Sequence, residues 1–438
     1  MTRSGVSTTG TMPRATPWIQ LGLGIVCMCM IANLQFGWSP FVPKLVKSTH
    51  WTLTAIQWSF TIFVLVETWL VPFEAALVDR FGPRLVVITG GLFAAAGWIC
   101  NGQLHSLRGL YIGGALAGIG AGMVYATCVP NAVKWFSANR GLAVGLTVAG
   151  FGAGAAVTVT PLVHMIQTAG PFPTFTFFGI VQGAVIVVCG LFLVSPPRAT
   201  TPAMLANVRV LQGTHDYTLV ETLCSPVFWL LYAVFILIAA PGLMFVAQIA
   251  PVATAFHLAD SPVHVALWVA PVLLLTLQLN NIVGGISRIS LGWISDRVGR
   301  ERTLAVAFAV EGVGVWAFNR FGHSPISFIL LSALVFFAWG EIYSIFPALI
   351  RDHFGQRYAA TNYGVLYTAK GVASLLVPLS SAIAIATGSW TNVFYLAAIM
   401  NLVAAFLAAA VLGPLRLREV ARVRAQQAEA LAYARSPA

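Results

Sequence analysis

Charged residues are scarce in this 438-residue sequence, and their scarcity decides its class. Only 8% of the residues are Asp, Glu, Lys or Arg, whereas 58% are hydrophobic. Soluble domains carry about 25% charged residues. A chain this apolar cannot expose its surface to water. The composition therefore excludes a soluble protein and predicts one that crosses a membrane several times.

The patterns that enzymes, metal proteins and disulfide-rich proteins need are also missing from the sequence. It contains no nucleophile–base pair, no histidine cluster with metal-ligand spacing and no phosphate-binding loop. The six cysteines form no CxxC pair and lie in or beside apolar segments, so we interpret them as packing residues. We expect neither catalysis nor a cofactor. Because residues 1–16 are polar and run directly into a long apolar segment, we expect no cleavable signal peptide.

What the sequence has instead is twelve apolar segments of roughly membrane-spanning length. They centre near Val26, Val66, Gly91, Gly118, Gly150, Ile186, Ile236, Leu274, Val310, Val335, Ala373 and Val403. Of the 24 Lys and Arg, 18 fall on one side of this topology, four on the other and two within segments. A bias of this kind marks the cytoplasmic side. It accounts for the net charge of +11 without a nucleic-acid partner. It predicts a multi-pass protein of the cell inner (plasma) membrane with both termini in the cytoplasm.

A hydrophilic interruption near the middle of the chain separates two groups of six segments. The predicted divisions are a cytoplasmic tail at 1–16, a six-helix bundle at 17–194, a cytoplasmic loop at 195–225, a second bundle at 226–413 and a cytoplasmic tail at 414–438. Each half also carries a related charged loop, at 79–84 and at 296–300. A repeat of this size predicts two pseudo-symmetric bundles with a binding site between them near mid-membrane.

The two loops resemble the cytoplasmic signature of the major facilitator superfamily, Gly-x-x-x-Asp-Arg-x-Gly-x-Arg. The second loop matches it from Gly292 to Arg300 with one residue fewer before the last arginine, and the first has Ala75 in place of the leading glycine. The resemblance implies a fold of 12 transmembrane helices in two six-helix bundles. It also implies that the loop charges help to latch the cytoplasmic side in one conformation. The charged residues concerned are Asp79, Arg80, Arg84, Asp296, Arg297 and Arg300.

Two cations lie inside apolar segments, Arg288 in the eighth and Lys370 in the eleventh. A charge at bilayer depth costs at least ~2.5–3.5 kcal/mol, so its presence indicates a function. Arg288 shares a helical face with Asn281, and Lys370 shares one with Tyr363 and Tyr367. Both cations should therefore point into the protein. Together they predict a site for an anion, and we expect that anion to carry two negative charges.

Several strings of the sequence resemble the oxalate/formate antiporter branch of the same superfamily, in collinear order. They are residues 27–38, 79–84, 122–125, 135–141, 337–340 and 362–370. The resemblance implies that Arg288 and Lys370 bind a dicarboxylate, that aromatic side chains enclose it, and that the carrier exchanges oxalate for formate. We expect the carrier to be monomeric. The other predicted substrate-binding residues are Gln35, Phe36, Tyr125, Trp339, Tyr343 and Tyr367. Phe36 stands where a tyrosine is expected, and Tyr367 stands at a position where a tryptophan also occurs.

The charges of the two cations give a physical reason for exchange. With both charged, the site carries +2 when empty and +1 with formate, and it is neutral with oxalate. Occluding unpaired charges in a low dielectric costs several kcal/mol per ion, so the empty carrier should reorient slowly. The sequence therefore predicts obligate exchange by alternating access. It also predicts that one net negative charge moves in each cycle that exchanges oxalate for formate.

Internal charge pairing is the competing explanation for the two cations. The possible acidic partners are Glu67, Glu74, Glu311 and Glu341. Glu341 lies two residues from both Trp339 and Tyr343, about 200° around a helix, so it cannot share their face. Alternatively, Glu67 or Glu341 serves as a proton site, which predicts a proton-coupled monocarboxylate transporter of the same superfamily. A receptor or channel without turnover fits the repeat and the paired cations poorly.

Overall fold

The fold is helical throughout most of the chain. The computed structural model describes residues 16–136, 140–196, 216–265, 268–340, 342–355, 357–415 and 418. Eleven helical spans in this part of the chain are long and apolar enough to cross a membrane, and Leu53–Trp69 forms a shorter apolar helix. Together they correspond to the twelve predicted segments. The prediction of an all-α polytopic fold with 12 transmembrane helices is confirmed.

The two halves are built from comparable sets of helices. The first contains α1 (Thr16–Phe36), α2 (Phe41–Thr49), α3 (Leu53–Trp69), α4 (Val71–Gln103), α5 (Leu107–Trp135), α6 (Arg140–Thr168) and α7 (Pro171–Phe192). A short helix, α8 (Leu219–Cys224), precedes the second half. The second half contains α9 (Pro226–Ala255), α10 (Val272–Val298), α11 (Arg300–Phe321), α12 (Pro325–Trp339), α13 (Ile342–Phe354), α14 (Ala359–Ser374), α15 (Leu376–Thr387) and α16 (Thr391–Leu407), which ends in a π-helical turn (Ala408–Leu412).

Helix α3 is short because it forms only the first part of the second membrane span. The backbone N–H of Leu70 donates to the carbonyl of Val66, and that of Glu74 donates to the carbonyl of Leu70. The helical path therefore continues from α3 into the first turns of α4, as far as a kink at Gly82. Residues 53–81 together are long enough to cross a bilayer.

The charged loops of the two halves share one backbone feature. Gly82 has a φ of 79° and Gly299 a φ of 107°, and each follows the Asp-Arg-x sequence of its loop. A methyl group on either glycine would meet nothing within 4 Å, so the dihedral angle and not the available space requires glycine here. The repeat seen in the sequence is therefore also a repeat of turn geometry.

The short helix α8 was not predicted, and neither were two other features outside the spans. One is the amphipathic helix α2, which follows the first span. The other is an antiparallel pair of strands between α9 and α10, β1 (Pro262–Val265) and β2 (Trp268–Pro271). The sequence analysis missed both strands because they are only four residues long and precede a long apolar helix. Isolated hairpins of this size are marginally stable on their own, so the hairpin depends on the helices around it.

Contacts between the halves surround the centre of the molecule. Helix α3 of the first half packs against α14 and α15 of the second, and α6 packs against α10. At the end of the bundle opposite the charged loops, the side-chain amide of Gln57 donates to the carbonyl of Ala247 at 2.9 Å and to Gln248 Oε1 at 3.0 Å. Gln248 in turn donates to Ser381 Oγ at 2.6 Å. This buried network joins the two halves at that end of the bundle.

Candidate anion-binding site

Arg288 points from α10 across to the first half of the molecule. Its side chain is 3% exposed, and its Nη1 donates to the carbonyl of Val148 on α6 at 2.8 Å. The guanidinium carbon lies 5.0 Å from the ring centre of Tyr343, 5.8 Å from that of Phe36 and 6.0 Å from that of Phe151. Aromatic faces attract cations, but they do not neutralise them. The prediction that Arg288 faces the protein interior is confirmed.

A glycine on α6 makes room for the guanidinium. A methyl group on Gly152 would stand 2.6 Å from Arg288 Nη1, so a larger residue would displace the cation. The sequence analysis missed Gly152. The glycines at 150 and 154 on either side of it face α1 and allow close helix packing there. Glycine at every second position from 150 to 154 indicates that the opposite face of α6 also needs a small residue.

Hydrogen-bond donors surround Arg288, and several of them are unused. Within the described chain, Arg288 has no carboxylate within salt-bridge distance, and its Nε has no acceptor. Trp339 Nε1, Asn280 Nδ2 and the Tyr343 hydroxyl are also buried without a hydrogen-bond partner among the described residues. Three of these residues, Arg288, Trp339 and Asn280, line one narrow cleft. Buried donors around an unneutralised cation form a surface that is complementary to an anion.

Lys370 is held differently, because it has a carboxylate partner. Its Nζ lies 2.9 Å and 3.1 Å from the two carboxylate oxygens of Glu67 on α3. It also donates to Gln35 Oε1 at 2.9 Å and to the Tyr367 hydroxyl at 3.2 Å. Lys370 is 0% exposed and Glu67 is 1% exposed. The structure therefore contains a fully buried ion pair between the two halves, and internal pairing applies to Lys370 but not to Arg288 within the described residues.

The predicted aromatic residues converge around the two cations. The ring of Tyr125 stacks on that of Tyr367, with 5.8 Å between the ring centres. The ring centre of Tyr343 lies 6.4 Å from that of Tyr367 and 5.5 Å from that of Trp339. Lys370 Nζ is 5.7 Å from the centre of the Tyr343 ring, which Arg288 also contacts. One phenol ring therefore adjoins both cations. Phe151, which packs on Tyr125, also belongs to this group and was not predicted from the sequence.

The contact with Glu67 changes the charge expected for the site. Counting only the two cations gives +2, but the ionised Glu67 carboxylate reduces the sum to +1. A monoanion then makes the site neutral, whereas a dianion leaves it at −1. Glu67 is one of the four possible partners in the sequence, and the predicted charge of +2 leaves it out. Helical periodicity places a residue on a face, and it does not show which residue of another helix will meet that face.

Comparison with known proteins agrees with this architecture. The sequence matches the family model of the Major Facilitator Superfamily over residues 21–378 and 279–436. The chain belongs to the major facilitator superfamily. Over 393 residues it is 31% identical to the "Oxalate:formate antiporter" of Oxalobacter formigenes, an alignment that covers 89% of this chain and 90% of the relative. The predicted resemblance to the oxalate/formate antiporter branch is confirmed.

Two more distant relatives also carry the names of transporters. An "Uncharacterized MFS-type transporter YhjX" of Escherichia coli is 24% identical over 361 residues, covering 82% of this chain and 86% of the relative. "Monocarboxylate transporter 13" of Bos taurus is 25% identical over 367 residues, covering 82% and 80%. The superfamily assignment therefore extends over most of the chain.

The superfamily signature loops carry ion pairs within each half. In the first half, Asp79 lies 3.6 Å from Lys134, Arg80 lies over the ring of Phe81, and Arg84 is exposed. In the second half, Arg300 pairs with Asp296 at 3.1 Å and with Asp352, while Arg297 stacks on Trp293. Asp79 and Asp296 therefore each pair with a cation of their own half, and the gating role of these loops stays a prediction.

Among the described residues, Glu74 and Glu311 form no salt bridge with either cation. Glu74 is buried on α4 beside Gly122, and its carboxylate has no hydrogen-bond partner among the described residues. Glu311 is buried on α11, which packs on α12 and α16. Glu341 lies outside the described residues, so its predicted role as a charge partner or proton site stays a prediction.

Proposed function

We propose that this protein is a secondary active transporter that exchanges small carboxylates, oxalate for formate, by alternating access. Arg288 and Lys370 bind the carboxylate groups of the substrate. Gln35 positions Lys370, and the walls of the site are Phe36, Tyr125, Trp339, Tyr343 and Tyr367. The 31% identity to an oxalate:formate antiporter supports the choice of substrates.

The single observation that carries this proposal is the state of Arg288. A cation that is 97% shielded from solvent and has no described carboxylate partner has lost its hydration without gaining a counter-ion. An uncompensated buried charge costs several kcal/mol, so it persists when an anionic ligand repays that cost. A planar guanidinium binds carboxylates bidentately, which makes a carboxylate the best-matched anion.

Both cations make their main polar contacts across the interface between the halves. Arg288 reaches Val148 on α6, and Lys370 reaches Glu67 on α3 and Gln35 on α1. A substrate carboxylate that takes the place of Val148 or Glu67 replaces a contact between the halves with one to a diffusible ligand. Binding therefore loosens the central contacts and permits the two bundles to rock, while the loops with Asp79 and Asp296 gate the cytoplasmic end.

We also propose the membrane topology that the sequence predicts. The cytoplasmic side of the tails and central loop, and the cell inner membrane, follow from the distribution of Lys and Arg. The two bundles at 17–194 and 226–413 follow from the six apolar segments on each side of the central loop. Because both halves of one chain contribute to the site, a single copy is sufficient for transport. We therefore propose a monomeric carrier.

Counterflow of labelled oxalate into proteoliposomes tests the proposed exchange. Vesicles preloaded with formate or with unlabelled oxalate should take up the label, because a loaded carrier returns faster than an empty one. Vesicles without internal carboxylate should take up little, at the level of protein-free liposomes. Equal uptake into preloaded and empty vesicles would contradict obligate exchange, and uptake into neither would contradict carboxylate transport.

A second candidate function is proton-coupled monocarboxylate transport, for which one observation is specific. Glu67 is a fully buried carboxylate in direct contact with a substrate-site cation, a position suited to carrying a proton. Relatives named monocarboxylate transporters are 25% identical to this chain over the aligned residues. In the same vesicles, uptake of formate driven by a pH gradient alone, without internal carboxylate, would favour this function over exchange.

A further inference from the structure

A wide groove lies on the second half of the molecule, between α10, α11, α12 and the end of α16. It encloses about 770 Å³, whereas a single water molecule needs only ~10–15 Å³. Its volume falls within the ~300–1,000 Å³ that ligand pockets have. The groove shares no lining residue with the cleft at Arg288, so it is a separate candidate site.

The lining of the groove divides into a polar end and an apolar body. The polar end consists of Glu301, Arg302 and Thr303, at the start of α11 and next to the second signature loop. All the other lining residues are apolar, and some of them, such as Val306, are exposed. A groove of this kind matches a ligand that has one polar end and an apolar body.

The depth of the groove matches one leaflet of a bilayer. Along α11 its lining runs from Arg302 to Val310, eight residues that rise about 12 Å at ~1.5 Å per residue. The hydrocarbon core of a bilayer is ~30 Å thick, so one leaflet contributes ~15 Å. The groove therefore begins where lipid head groups lie and ends near the middle of the membrane, as the acyl chain of a phospholipid does.

Two exposed arginines flank the polar end of the groove. Arg302 lines it from α11, and Arg418 lies four residues after Pro414, which lines it just after the π-helical turn of α16. Neither arginine has a carboxylate within salt-bridge distance among the described residues. Together with Glu301, they give this end of the groove a charge of +1. Guanidinium groups bind phosphates bidentately, and basic pockets at the ends of membrane helices bind anionic head groups.

We propose that this groove binds an anionic glycerophospholipid, with one acyl chain along α11 and the phosphate on Arg302 and Arg418. The site lies in the leaflet at the signature-loop end, which is the cytoplasmic leaflet in the proposed topology. Leu291 and Ile294 line the groove from α10, the helix that also carries Arg288. A bound lipid therefore contacts and stabilises the helix that holds a cation of the anion-binding site.

The C-terminal residues 419–438 of the chain are the competing occupant of the groove, because they follow its polar end in the sequence. They include five charged residues, Glu419, Arg422, Arg424, Glu429 and Arg435. Charged side chains are costly at membrane depth, and an acyl chain carries none. The apolar body of the groove therefore favours the lipid.

Native mass spectrometry of the detergent-solubilised protein, titrated with dioleoylphosphatidylglycerol, tests the site. One molecule of this lipid should bind with higher affinity than dioleoylphosphatidylcholine, which has the same chains but no net charge. Glycerol 3-phosphate, which has the phosphate but no chain, should not bind at lipid concentrations that saturate the site. Because a ligand of the folded state stabilises it, saturating phosphatidylglycerol should also raise the melting temperature.

Variants of the lining test both parts of the site. Arg302→Gln and Arg418→Gln should each lower the affinity for phosphatidylglycerol about fivefold, and together about thirtyfold, which is the effect of a basic residue near an anionic head group. Arg320→Gln is the matched control, because it removes an exposed arginine at the opposite end of α11. Ala409→Trp should abolish lipid binding by filling the groove. Ala410→Trp changes the next exposed position, which does not line the groove, and should leave binding unchanged.

Equal affinity for phosphatidylglycerol and phosphatidylcholine, or unchanged affinity in the double arginine variant, would overturn the inference. Binding of glycerol 3-phosphate as tight as that of the lipid would also overturn it, because the arginines would then hold free phosphate esters. If phosphatidylglycerol binds only after residues 419–438 are removed, those residues occupy the groove and the inference is wrong. The arginine variants decide the question if Ala409→Trp does not fold. None of these measurements uses transport, so the result is independent of the proposed exchange function.

Discussion

Arg288→Gln is expected to abolish oxalate exchange while the protein still inserts and folds. The guanidinium is the one described cation of the site without a carboxylate partner, so its charge is available to the substrate. Glutamine retains a donor for the Val148 carbonyl but carries no charge, and we expect oxalate counterflow to fall to the level of protein-free liposomes. Labelled oxalate uptake into preloaded proteoliposomes measures this loss.

The stability of the same variant gives an independent check on the charge argument. Replacing an uncompensated buried cation with a neutral side chain removes a desolvation cost, so the melting temperature in detergent should stay the same or rise. Arg320→Gln is the matched control, because this arginine is exposed at the end of α11 and its loss should change neither transport nor melting. Normal oxalate exchange by Arg288→Gln would rule out the guanidinium as the carboxylate-binding group.

Lys370→Gln is expected to have the opposite effect on stability. It leaves the Glu67 carboxylate buried without its ammonium partner, and breaking a buried pair in this way costs about 3–5 kcal/mol. The double variant Glu67→Gln/Lys370→Gln removes both charges and should recover most of that loss. Neither variant should exchange oxalate, since both lack the second cation. Unfolding in detergent and counterflow, measured on the same preparations, separate the two effects.

A double-mutant cycle makes this prediction quantitative. The coupling free energy between positions 67 and 370 is the part of the loss that the double variant recovers. Lys47→Gln on α2 is the matched control, because this lysine is exposed and should lower stability little. If Lys370→Gln melts like the unmodified protein, Glu67 does not depend on Lys370, and the charge balance proposed for the site has no basis.

The sequence was sufficient to predict the overall fold and the inward direction of both cations. Apolar segment lengths predicted the spans, and helical spacing placed Arg288 with Asn281 and Lys370 with Tyr367 on buried faces, as the structure has them. Interior cations are expensive in a membrane, so the polar face of a span must turn inward. These features depend on one helix at a time, which is why they can be deduced from periodicity.

The features that depend on two helices at once could not be predicted in the same way. Glu67 was one of four candidate acids, and only the packing of α3 against α14 brings it to Lys370. Similarly, the need for glycine at position 152 arises from the distance between α6 and the Arg288 side chain of α10. The hairpin between α9 and α10 escaped prediction because four-residue strands carry too little periodicity to be distinguished from the apolar helix that follows.

A structure of the protein determined with oxalate bound tests the central claim most directly. The account predicts one oxalate carboxylate on the guanidinium of Arg288 and the other within hydrogen-bond distance of Lys370 Nζ. It also predicts that Arg288 has left the Val148 carbonyl and that Glu67 has moved away from the ammonium. Oxalate bound elsewhere, with the contacts from Arg288 to Val148 and from Lys370 to Glu67 unchanged, would contradict the account.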